Sequence, residues 1–357
     1  MNTVTNTMIT PEWQNVYRKV FTDLSTGGSS MTRSLNAIFG AAPRSYAKDL
    51  YEFERKYNVN GDVPQVLRGG QYIDVSGEKK MMAQFDPLIF KLKSGYSVVD
   101  LQKRSAFTGL SESQETFRTP LVTNHIKRIK KSLNKNAIVS RRGGVVQTEI
   151  ATPSGTTYSD QNFGLIWSDS VGAGAFPTRM QNGVTMTTVD WGNASTTLAM
   201  IETSIADIFL AAEEKGLNPM DLDIQVGSEV FTAIGGKIDA YLGTTKRNGS
   251  FDYSIDRIGG VIMLGNKMIT RMIDSCIINS TTYKFVEDKY ITVCLKPQYN
   301  DWVYMSIEDI GMMFTPIEFW SDEVMDHYKT NWEVLTQSRQ FLCPDTNGIF
   351  TIKVIAG

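Results

Sequence analysis

Residues 195–242, STTLAMIETSIADIFLAAEEKGLNPMDLDIQVGSEVFTAIGGKIDAYL, constrain the fold more than any other stretch of the chain. Leu198, Ile201, Ile205, Ile208, Phe209 and Ala212 recur at three- and four-residue steps, which places them on one face of a helix. Lys215 and Gly216 supply a last-turn cation and a residue suited to the left-handed conformation that closes a helix. Asn218-Pro219 then keeps the chain out of helix. Leu222, Ile224 and Val226 alternate with Asp223 and Gln225, the period-two mark of a half-buried strand. After the turn at Gly227, Ser228 is the expected cap of a second helix carrying Val230, Ile234 and Ile238. The stretch predicts helix, turn, strand and helix in succession.

A chain of 357 residues, 41% hydrophobic and 21% charged, can bury a sizeable core in two or more packed units. No apolar run approaches the roughly 20 residues that cross a bilayer. The N-terminal residues MNTVTNTMITPEWQNVYRK lack a secretory apolar core, so synthesis in a reducing cytoplasm is expected. Cys276, Cys294 and Cys343 have neither metal nor redox spacing and read as reduced core thiols. The net charge of −2 hides an asymmetry. Residues 1–150 carry 22 Lys and Arg against 13 Asp and Glu, a net +9, and residues 151–357 carry 14 against 25, a net −11. Two differing solvated faces, head-to-tail pairing of copies, or a basic half that meets a polyanion all fit that split.

Along the rest of the chain the signals are local. Trp13, Val16, Tyr17, Val20 and Phe21 outline a short apolar face after Thr10-Pro11, and Ala47 to Tyr57 reads as a second helical piece. Between Arg68-Gly69-Gly70 and Ser76-Gly77-Glu78, and beyond them, Tyr72, Ile73, Val75, Phe85, Leu88, Phe90 and Leu92 mark strands of an extended two-stranded excursion. Thr119-Pro120 opens a helix in which Val122, Ile126, Ile129 and Leu133 follow at steps of four, three and four. Its other faces carry His125, Lys127, Arg128, Lys130, Lys131 and Lys135, with His125 read as a surface residue. Residues 140–192 are rich in strands and turns, Asn182-Gly183 being a hairpin signal. Short strands are predicted near 261–263 and 268–272 and in FVEDKYITVCLKP, and two more around the turn at 344–348.

Catalytic signatures are sparse. His125 and His327 have no partner at metal-ligand spacing. No Gly-x-Ser-x-Gly elbow or Walker-type loop is present, and Gly172-Ala173-Gly174 and Gly235-Gly236-Lys237 lack the rest of a nucleotide loop. Asp221/Asp223 and Asp322/Glu323 read as solvated carboxylates. No catalytic residue, cofactor or metal is expected, and no membrane partner.

The order around 195–242, and the wording GLNPMDLDIQVGSEVFTAI in particular, resembles the major capsid proteins of tailed phages with the Hong Kong 97-type fold. The resemblance spans most of residues 63–357 and rests on pattern, not on an invariant motif. It implies an α+β chain divided into an N-terminal arm (1–62), an extended loop (63–100), a peripheral domain (101–190, with its spine helix at about 119–137), an apical domain (191–324) and a return to the peripheral domain (325–357). It also implies a late pair of strands with an Arg between them, here Arg339. The implied function is that of a shell subunit that assembles as hexamers and pentamers around double-stranded DNA, in a virion made in the host cytoplasm. Lys127, Arg128, Lys130, Lys131 and Lys135 would then face the DNA without reading its sequence, and Tyr72, Lys79, Lys80 and Phe85 would contact a neighbouring subunit. A separate scaffolding protein and a portal are the implied partners, with decoration proteins left open. An encapsulin-type nanocompartment shell and a soluble α+β enzyme with an unrecognised site are the alternatives.

Overall fold

The computed structural model describes residues 32–57, 79–100, 102, 114–140, 145–162, 189–214, 217–244, 253–307, 315–325, 331–345 and 349–356. In chain order these begin with α1 (Arg33–Phe39), β1 (Arg44–Ser45), β2 (Tyr51–Tyr57), β3 (Lys79–Phe85) and β4 (Phe90–Ser97). Next come α2 (Gln114–Ser140), β5 (Val145–Thr152), β6 (Gly155–Asn162), α3 (Leu198–Glu214), β7 (Leu222–Val226) and α4 (Ser228–Thr244). Short strands follow: β8 (Tyr253–Asp256), β9 (Val261–Leu264), β10 (Lys267–Arg271), β11 (Ser275–Ile278), β12 (Thr281–Lys284) and β13 (Tyr290–Leu295). The last five are β14 (Asp301–Tyr304), β15 (Trp320–Met325), β16 (Asn331–Ser338), β17 (Gln340–Cys343) and β18 (Ile349–Lys353).

The helix-strand-helix unit forms as its periodicity predicts. All six apolar positions named on α3 are buried, as are Val230, Ile234 and Ile238 on α4. Both helices pack on a six-stranded sheet ordered β18-β13-β7-β10-β9-β8, in which only β7 and β10 run parallel. The row Ile262, Ile269, Ile224, Val293 and Phe350 lies side by side across that sheet and faces the helices. Ile201, Ile205 and Ile208 each cost a few tenths of a kcal/mol in helix propensity, whereas burying each gains about 1.5–3 kcal/mol. Tertiary burial decides the matter.

The end of α4 nearest the sheet departs from expectation. Ser228 does not cap the helix; its Oγ donates to Asp288 Oδ1 at 2.7 Å. The Asp288 carbonyl instead accepts from the amides of Glu229 and Val230, both at 3.1 Å. That close approach requires glycine at 227, because a Cβ there would lie 2.0 Å from the Glu287 carbonyl oxygen.

A second core forms beneath α2. Val122, Ile126, Ile129 and Leu133 pack with α1, the β11–β12 hairpin and the sheet β15-β16-β4. The helix is longer than the 119–137 expected, and Pro120 lies inside it instead of in its first turn. Phe117 stacks on Tyr96 with centroids 5.6 Å apart, and Arg118 pairs with Glu323, contacts that extend the helix ahead of the proline.

Three other expectations are corrected. Tyr51–Tyr57 is strand β2, not helix, and it pairs antiparallel with β3 from Tyr51↔Phe85 to Tyr57↔Lys79. The excursion therefore includes β2, which begins before residue 63, while β4 already belongs to the body through its ladder with β16. Residues 325–357 do not return as one block, since β18 pairs with β13 in the six-stranded sheet. Trp191 donates to the Val354 carbonyl at 2.8 Å, so the chain enters and leaves that unit side by side. The signals at Trp13–Phe21, Tyr72–Val75, Asn182-Gly183 and Lys215-Gly216 lie outside the described residues.

Candidate interaction surfaces

The basic face of α2 separates into two groups. Arg128 and Lys131 are exposed and Lys127 half-buried, and none of the three has an ion-pair partner among the described residues. Lys135 is committed within the chain, to Glu149 on β5 at 3.0 Å, and Lys130 lies 6.0 Å from the ring of Phe319. Asn124, Arg128 and Lys131 fall at steps of four and three, so the free cations form one stripe opposite the core.

His125 is not a surface residue. It is buried, with Nε2 2.7 Å from Ser94 Oγ on β4 and Nδ1 2.8 Å from Thr336 Oγ1 on β16. Thr336 Oγ1 in turn lies 2.9 Å from Ser321 Oγ on β15, so one imidazole reaches all three strands of the sheet. Burial, then the nearby Arg128 charge, lowers its pKa from the ordinary histidine value.

Glu323, read from sequence as solvated, is largely shielded, with 10% of its side-chain surface accessible. One oxygen accepts from Arg118 and the other from the Tyr96 hydroxyl. Asp221 accepts from Tyr299 at 2.6 Å, and Glu333 pairs with Lys93 at 2.8 Å. Of the carboxylates singled out in the sequence, Glu323 and Asp221 thus have partners within the chain, whereas Asp322 is exposed.

The β2–β3 ribbon is a two-stranded sheet with no third strand among the described residues. Phe85 is half-buried at its root, and Lys79 closes the described end of the ladder beside Lys80. Tyr72, expected on the same excursion, lies outside the described residues. At the root, Phe341 on β17 packs against Tyr51 and Phe85, with ring centroids 4.9 and 5.3 Å away. Arg339, between β16 and β17, is buried there. Its Nε donates to the Pro87 carbonyl at 3.0 Å, and its Nη2 to the Asp49 carbonyl at 2.8 Å and to Asp86 Oδ1 at 2.7 Å. Nothing local in the sequence signals these partners.

All three cysteines are buried, and none of them forms a disulfide. Among the described residues no group of three or more His, Cys, Asp or Glu is placed to hold a metal. An open cleft of about 630 Å³ lies between α3 and the β9–β10 turn, lined by Glu202, Asp207, Glu213, Phe209, Leu264 and Lys267 among others. No histidine, cysteine or hydroxyl side chain is among the residues that line it.

No family model matches the chain, and no curated protein matches it significantly. Among solved structures, an E. coli CFT073 prophage protein assigned as a capsid protein superposes with a TM-score of 0.50 at 15% identity, over 95% of this chain and 98% of that one. The capsid of cyanophage A-1(L) scores 0.47 at 12% identity, over 88% and 90% of the two chains. The holo-SrpI encapsulin complex from Synechococcus elongatus PCC 7942 scores 0.42 at 10% identity, over 99% and 91%. The first match, which spans both chains nearly end to end, shows that this protein has a phage capsid fold. That fold is the α+β Hong Kong 97-type expected from the sequence.

Proposed function

We propose that this chain is the main shell subunit of a tailed phage, assembling as hexamers and pentamers into an icosahedral shell around double-stranded DNA. The observation that carries the reading is the prophage capsid match over 95% of the chain. The β2–β3 ribbon supports it, because a two-stranded ribbon is marginal in water and gains stability by leaning on another surface. The work of the subunit is mechanical, not catalytic. The ribbon and the N-terminal arm overlap neighbours, and many weak contacts hold the shell closed.

Within this reading α2 is the spine helix of a peripheral domain, and α3, α4 and their sheet form the apical domain. The stripe of Arg128, Lys131 and Lys127 faces packaged DNA, where it offsets phosphate repulsion without reading bases. Lys79, Lys80, Phe85 and Tyr72 belong to the surface that meets a neighbour. A scaffolding protein and a portal complete assembly in the host cytoplasm.

Sedimentation of the purified protein, alone and with its scaffolding protein, tests the proposal. Scaffold-dependent conversion to particles of shell size is the expected result. A single small species under every protein and salt concentration contradicts it. Shells that form without scaffold and retain an enclosed enzyme point to the nanocompartment reading instead.

A further inference from the structure

The β2–β3 ladder stops at Tyr51↔Phe85, but its register does not. Continued two residues outward on each strand, it pairs Asp49 with Pro87. Pro87 has no N–H and cannot donate to a further rung. Arg339 takes the place of that rung: Nε donates to the Pro87 carbonyl at 3.0 Å and Nη2 to the Asp49 carbonyl at 2.8 Å. Nη1 reaches the Ser306 carbonyl at 3.4 Å, and Ser306 Oγ donates to Asp49 Oδ1 at 2.9 Å. Both roots of the ribbon are therefore fixed to one buried guanidinium on the body. Two residues further on, Phe341 packs against the first aromatic pair of the ladder, Tyr51 and Phe85.

A planar guanidinium suits this role because its donors leave in fixed directions toward separate acceptors. A flexible root would let the ribbon sample many directions, and docking would then carry the entropy of ordering it. We propose that Arg339 is the positioning residue of the ribbon: it sets the direction in which β2 and β3 leave the body, so that the ribbon meets a neighbouring subunit already oriented. The neighbour contact rests on the shell reading above; the clamp itself does not.

The test compares the native residue with Arg339→Met and Arg339→Lys in the full chain. Spin labels at position 79, the far end of the described ladder, and position 331 on β16 report the ribbon's direction in unassembled protein. The expected result is a narrow distance distribution with Arg339, a broad one with Met and an intermediate one with Lys, whose point charge cannot hold both carbonyls in one plane. In folded Arg339→Lys, shell yield is expected to fall about tenfold, equivalent to ~1.4 kcal/mol. Should Arg339→Met not fold, the Lys variant decides alone. Equally narrow distributions in all folded proteins overturn the proposal, as does broadening with undiminished shell yield. If the native protein forms no shell at all, the shell reading fails, and the distance measurement still decides the clamp.

Discussion

Nδ1 of His125 lies 2.8 Å from Oγ1 of Thr336, and this contact ties α2 to the middle strand of its sheet. The buried imidazole is held between two hydroxyls, Ser94 Oγ and Thr336 Oγ1. Its folded pKa is lowered, so the unfolded chain takes up a proton first as pH falls. The contribution of His125 is thus fully present above about pH 6.5, the unfolded value, and is lost as pH falls through the folded pKa. Melting temperature measured from pH 7.5 to 5 should drop more steeply for the native protein than for His125→Gln. Parallel curves would contradict this.

The Arg118–Glu323 pair should be worth most through the cost of breaking it. Both side chains are nine-tenths buried, so Glu323→Gln leaves a guanidinium with no compensating charge in the core of the α2 layer. A loss of about 3–5 kcal/mol in chemical denaturation is expected. Because the pair is shielded from solvent, that loss should change little with added salt.

Two glycines of one helix region should respond in opposite directions. At Gly227 a new Cβ would lie 2.6 Å from the Asp288 Cα and closer still to the Glu287 carbonyl oxygen, so Gly227→Ala must displace backbone. It should cost about 1–3 kcal/mol. At Gly236, within α4, nothing lies within 4 Å of the added methyl. Gly236→Ala should therefore stabilise by up to about 1 kcal/mol. Equilibrium unfolding of the two variants checks both signs.

If the α2 stripe neutralises phosphates, binding to unspecific double-stranded DNA should fall linearly with the logarithm of salt concentration. Replacing Lys127, Arg128 and Lys131 by Gln should flatten that slope by about 0.9 for each contact made. Replacing Lys135, which is paired with Glu149, should change it less. An unchanged slope in the triple variant removes DNA from the face assigned to it.

The parts legible in the sequence were those whose order depends on near neighbours. The α3–β7–α4 unit could be read because its apolar spacing switches from helical to alternating at Leu222, and burial follows that switch. Tyr51–Tyr57 was misread as helix although Tyr51, Phe53, Arg55 and Tyr57 alternate with Glu52, Glu54 and Lys56, a period of two that its charge content obscured. His125 carried a similar signal. It falls three residues after Val122 and four before Ile129, on the buried face, and only its polarity argued for solvent.

The partners of Arg339 and Glu323 were beyond sequence reasoning for a different reason. The guanidinium of Arg339 is satisfied by carbonyls 252 and 290 residues away, and Glu323 meets Arg118 across 205 residues. No periodicity encodes a partner at that separation. Likewise the pairing of β18 with β13 joins segments whose own patterns fit either layer.

Electron microscopy of the negatively stained protein, prepared alone and with its scaffolding protein, tests the central claim most directly. The account predicts closed shells, or rings of five and six subunits, when scaffold is present. Uniform small particles in both preparations, at every concentration and ionic strength tried, would contradict it.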